Sequence, residues 1–111
     1  MSSFLSSICR NINLIAFTRN PIGQFTPCSA MPDWLVFFLV KPEDTGSYNL
    51  IEAFPYLSCF IEDAEQHWQA KCAEPLSSGV WIEIDELEHE LPLEASVMYL
   101  DGQEVLLLQQ L

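Results

Sequence analysis

Positive charge is scarce in this chain: Arg10, Arg19, Lys41 and Lys71 face 16 acidic residues, for a formal charge of −12. All of the acids lie between Asp33 and Glu104, so the first thirty residues are mildly basic and the remainder strongly acidic. A body of that sign is repelled by phosphate backbones and anionic lipid, which argues against a nucleic-acid partner. No stretch approaches the ~18 consecutive apolar residues of a membrane span. The opening MSSFLSSICRNINLIAF is broken by Arg10 and Asn11 and leads to no cleavage site, so no signal peptide is expected. The four cysteines (Cys9, Cys28, Cys59, Cys72) form no CxxC pair, which removes zinc-ribbon spacing. Without a secretory signal they read as separate thiols in a reducing cytoplasm. HExxH, GxSxG, P-loop and GxGxxG motifs are all missing, and the two histidines, His67 and His89, lie in different blocks. No reactive set supports an enzyme.

What is present is apolar: half of the 111 residues are hydrophobic, enough for the core of one domain. Three blocks follow each other with different periodicities. In the first, NLIAFT (13–18) and GQFTPCS (23–29) are short β-rich runs separated by Asn20, Pro21 and Gly23, the pattern of a hairpin. Before them, SSFLSSI predicts a short helix with Phe4, Leu5 and Ile8 on one side. The middle block, from Met31 to about Cys72, predicts helices broken by loops. Asp33 is the expected cap of a short helix through Trp34, Phe37 and Phe38, and KPEDTGS (41–47) ends it. After Pro55, Leu57, Ile61, Ala64, Trp68 and Cys72 recur at helical spacing, with Glu62, Asp63, Gln66 and Gln69 turned elsewhere. That stripe is a core face, and His67 sits at its edge.

The last block changes to period two. In VWIEID (80–85) the expected core face is Val80, Ile82 and Ile84; in LPLEASVMYL (91–100) it is Leu91, Leu93, Ala95, Val97 and Tyr99. Asp101-Gly102 is a strong two-residue hairpin signal because both positions accept positive φ. It sets Val97 opposite Leu106 and Ala95 opposite Leu108 in EVLLLQQL (104–111). Between the first two strands, DELEHE (85–90) crowds carboxylates around His89. With Leu87 and Glu88 as its tip, Ile84 meets Leu91 and Ile82 meets Leu93. A metal site needs ligands converging from several elements, and one turn does not supply them. The expectation is a solvated turn and no metal site.

Two strands, short helices ending in a longer one, then a three-stranded meander resemble a PAS domain along nearly the whole chain. MPDWL (31–35), FPYLSCFIEDAEQHW (54–68), and GVWIEID with HELPLEASVMYLDGQEVLLLQ within 79–109 look like the PAS-like module at the N-terminus of bacterial sensor histidine kinases and related signalling proteins. The resemblance implies an α+β fold over residues 1–111, with residues 1–10 as a helical cap. It implies a five-stranded antiparallel sheet in the order 2-1-5-4-3, with helices on one face and a ligand cavity between the layers. A pocket there would draw on Cys59, Phe60, His67 and Trp68; the cofactor, if any, is unspecified. The final strand lacks the family's Asp-x-Thr element, and Cys59 in LSCFIED lacks the Asn, Arg and Gln of the flavin-photoreceptor motif.

The function implied is sensory and non-catalytic: a cytoplasmic homodimerising module that signals from its last strand to an output domain beyond Leu111, such as a kinase or cyclase. The expected pairing surface is the N-terminal helix with an outer sheet face carrying Trp81, Met98, Leu100 and Leu106 or its neighbours. The alternative is a free-standing α+β protein that binds a small apolar ligand or a partner protein.

Overall fold

The computed structural model describes residues 3–29, 31–36, 38, 46–85 and 87–111. Among these described residues nine elements follow in order: α1 (Ser3–Asn11), β1 (Leu14–Arg19), β2 (Phe25–Pro27), α2 (Asp33–Val36), α3 (Leu50–Ala53), α4 (Tyr56–Gln69), β3 (Leu76–Ile84), β4 (Glu90–Leu100) and β5 (Gln103–Gln110). The strands form one antiparallel sheet in the order β2-β1-β5-β4-β3. The α+β layout and the strand order both match the expectation.

The β1–β2 turn is built by Asn20, whose side-chain oxygen accepts the backbone N–H groups of Ile22 and Gln24. At the other end of the chain, Asp101 (φ 51°) and Gly102 (φ 77°) make the two-residue turn. The register is the expected one, with Val97 opposite Leu106 and Ala95 opposite Leu108. Helix α4 begins after Pro55, and Leu57, Phe60, Ala64 and Trp68 face the sheet. Phe60 joins this stripe, whereas Cys72 lies beyond the helix end. Asp33 stands inside the first turn of α2. Phe37 and most of KPEDTGS (41–45) lie outside the described residues.

One face of the sheet meets the helices. Ile15, Phe17, Leu93, Ala95, Val97, Leu106 and Leu108 pack with Leu35, Leu50, Phe54, Leu57 and Trp68 in a single cluster. Aromatic rings bind it together: Phe17 meets Phe25 edge-on at 6.4 Å, Phe25 approaches Trp68 at 6.5 Å, and Phe38 lies 5.3 Å from Phe54.

Strand β3 corrects the sequence reading. Val80, Ile82 and Ile84 are 53%, 54% and 62% exposed, while Trp81 is only 7% exposed. Glu83 therefore opposes Leu91, Trp81 opposes Leu93, and Ile84 opposes Glu90. Leu106 likewise faces inward, so neither Trp81 nor Leu106 belongs to the outer face. Two irregularities produce this phase. Between Ser77–Ser96 and Val80–Glu94 the register slips, so that Ser78 and Gly79 together oppose Ala95, a β-bulge with Gly79 at φ 78°. At the far end Asp85 pairs with His89 through an Asp85 N–H to His89 carbonyl bond. This leaves a three-residue loop, in place of the expected two, with Glu88 at φ 63°. A one-residue change of register moves every side chain to the opposite face.

Candidate functional site

The sites suggested by sequence come first. Trp68 is fully buried, and its indole N–H donates to the carbonyls of Met98 (3.1 Å) and Val105 (3.2 Å). It is a core residue that ties α4 to the β4–β5 ladder. Phe60 is buried on the same helix face, while Cys59 is exposed and a free thiol. His67 is half-buried, as its edge position suggested, and its Nε2 meets the Glu74 carbonyl just past the helix. These residues do not converge: Phe60 and Trp68 point to the core, whereas Cys59 points to solvent and His67 is engaged by the α4–β3 connection. The space between the layers, where the resemblance puts a ligand, holds the fully buried Phe17, Phe25, Phe54 and Trp68 side chains.

The DELEHE turn is built around Asp85. One of its oxygens accepts the N–H groups of Leu87 (2.9 Å) and His89 (2.8 Å), and the other lies 3.2 Å from His89 Nδ1. The His89 backbone N–H, aided by that of Leu87 and by the imidazole, holds the Asp85 carboxyl below its ordinary range. The carboxylate organises a loop. Among the described residues no group of three His, Cys, Asp or Glu side chains is placed to hold a metal ion.

Several clefts open on the surface of the described residues. One of about 390 Å³ is lined by Asp63, Gln66, His67, Ala70 and Leu76 at the end of α4. Another of about 410 Å³ is lined by Arg19, Asn20, Tyr99 and Glu104 beside the β4–β5 turn. Arg19 lies 5.1 Å over the Trp68 ring, bonds Glu65 at 2.9 Å and approaches Glu104 at 3.8 Å. Its charge is matched by those two carboxylates, so the cleft presents no free cation to an anionic ligand. A third, about 330 Å³, lies between α1 and α2 and includes Asn11, Asn13, Asp33 and Trp34. The buried Trp34 Nε1 has no hydrogen-bond partner among the described residues.

The remaining surface is the sheet face away from the helices. Strand alternation brings Leu14 and Ala16 of β1, Val105 and Leu107 of β5, and Met98 and Leu100 of β4 to that side. The exposed Val80, Ile82 and Ile84 of β3 extend it to the sheet edge. On α1, Phe4 and Ile8 are exposed, as is Ile12 just beyond it, so this helix also carries uncovered apolar side chains. Glu90, Glu94 and Ser96 of β4 stand between the two sheet groups on the same face, and Met98 is itself buried; the exposed apolar side chains of β3 and α1 are the kind that mark an interaction surface. Sequence periodicity located Met98 and Leu100 on it but placed Val80, Ile82 and Ile84 in the core, because the bulge at Ser78–Gly79 is invisible to a strict period of two. Among the described residues no helix is long and apolar enough to cross a membrane. The chain matches no protein-family model, no curated protein and no solved structure.

Proposed function

We propose that the chain is a non-catalytic, PAS-like module of a bacterial signal-transduction protein, which pairs with a second copy and passes its signal through the sheet to an output domain. One observation carries this reading. The sheet has the order β2-β1-β5-β4-β3, with helices inserted between β2 and β3 on one face and an apolar face on the other. That arrangement leaves the central strand, β5, in contact with both halves of the sheet. A shift imposed on the outer face therefore reaches the last strand directly.

Sedimentation at ~10 μM tests the reading, since a micromolar dimer is populated there. A dimer is expected. A clean monomer at both low and high salt, unchanged when residues 1–10 are removed, overturns it.

A further inference from the structure

Resting on that reading, we propose where the second copy binds: it adds to the open edge of β3, antiparallel and centred on Ile82. Strand β3 is an edge strand of the sheet. In an antiparallel ladder, residues alternately direct their backbone groups toward one neighbour or the other. On β4, the Pro92 carbonyl accepts from Leu111 on the β5 side, whereas the Tyr99 N–H points to Cys72 on the opposite side. The odd-numbered β4 residues therefore face β3, and Leu91 and Leu93 bond Glu83 and Trp81. It follows that the N–H and C=O groups of Val80, Ile82 and Ile84 point away from the sheet. The same residues carry the exposed side chains.

The edge is complementary to itself. With Ile82 opposite Ile82 of the second copy, Val80 meets Ile84, Trp81 meets Glu83, and Gly79 meets Asp85. No carboxylate faces a carboxylate, which matters for copies charged −12 each. Glu83 already accepts the Trp81 indole N–H within one chain, at 2.7 Å, so the facing pair is chemically matched. Sliding the strands two positions toward the turn would set Glu83 against Glu83. Sliding them toward the bulge would set Ile84 against Ser78, whose carbonyl is taken by the Tyr56 hydroxyl at 3.0 Å. The register is thus confined from both directions.

The contact also closes. At the opposite edge, β2 spans only Phe25–Pro27, and Phe25 is bridged by Tyr48. A two-fold pair through β3 accordingly uses the available edge of each copy and does not propagate into a filament.

The test compares Ile82→Pro with Ile82→Lys and Leu100→Lys by sedimentation. Proline is tolerated at an edge position whose N–H faces outward, so Ile82→Pro should keep the fold while removing the two symmetry-related bonds at the centre. Where proline costs the fold, Ile82→Lys carries the same test. Leu100→Lys makes the same charge change on the outer face away from the edge. The expected result is a wild-type dimer, a dissociation constant raised about 100-fold or more by either Ile82 variant, and a change of less than about threefold in Leu100→Lys. Amides of Val80, Ile82 and Ile84 should exchange slowly in the wild-type dimer. A dimer that survives the Ile82 variants, or is lost in Leu100→Lys alone, overturns the edge contact and leaves the pairing reading standing. A wild-type monomer overturns both.

Discussion

The Trp68 ring touches both layers of the molecule: it packs in the core, lies under the Arg19 guanidinium, and hydrogen-bonds two strands through one N–H. Trp68→Ala should cost about 3–5 kcal/mol in chemical denaturation, the usual loss for a large buried aromatic. Trp68→Phe, which keeps most of the packing and removes the N–H, should cost far less. Asp85 belongs to the other extreme, an exposed turn held by polar contacts. Because its carboxyl is depressed in the folded protein, the stability it contributes is present above its unfolded value, about 3.8, and is lost as pH falls through the lower folded value. Protection of the Leu87 and His89 amides, taken relative to intrinsic exchange at each pH, should therefore fall on acidification below about pH 4. Asp85→Asn, which retains an accepting oxygen, should preserve the turn and abolish that pH dependence. At this scale the sequence was informative about Trp68, through helical spacing, and about the turn being solvated. It could not show that Asp85 rather than the glutamates organises the loop, since that follows from backbone N–H groups and not from residue type.

Among the elements, β4, β5 and α4 were legible because their patterns are regular and their ends carry strong signals: Pro55 before the helix and Asp101-Gly102 between the strands. Strand β3 was legible as a strand but not in phase. Area alone favours burying Val80, Ile82 and Ile84, yet the bulge turns them out. Its polar groups are fully engaged there: Ser77 Oγ accepts from Gly79, Ser78 Oγ accepts from Ala95, and Tyr56 donates to the Ser78 carbonyl. Trp81 gains in exchange a stacked contact with Tyr56 at 4.7 Å and an edge contact with Phe54 at 6.4 Å. Regular propensity is most often overridden where a surface has a use. Gly79→Ala should destabilise by about 1–2 kcal/mol, a cost of its positive φ. The added Cβ would stand 4.0 Å from the Tyr56 hydroxyl, so crowding adds nothing. Trp81→Ala should be costly and Ile82→Thr should stay within about 0.5 kcal/mol, opposite to the ranking that a strict alternation would give.

For the molecule as a whole, charge and apolar surface pull against each other. Each copy carries −12, so the proposed pairing would bring together bodies that repel, and only an apolar centre could hold them. Added salt shortens the range of that repulsion. Self-association should consequently tighten between about 50 and 300 mM salt, a range over which the screening length falls by more than half; sedimentation at the two concentrations reads this directly. The strand order has a different consequence, for the chain as it is being made. Strand β5 is central in space and last in synthesis, and Leu14 must find Gln109 across 95 positions. At ~5–20 residues per second, the first hairpin waits roughly 5–20 s on the ribosome before its main partner exists. The β3–β4 hairpin meanwhile emerges with two open edges. Until β5 clears the exit tunnel the sheet is in two halves, and the nascent chain depends on its acidic surface, rather than on its fold, to stay apart from its neighbours.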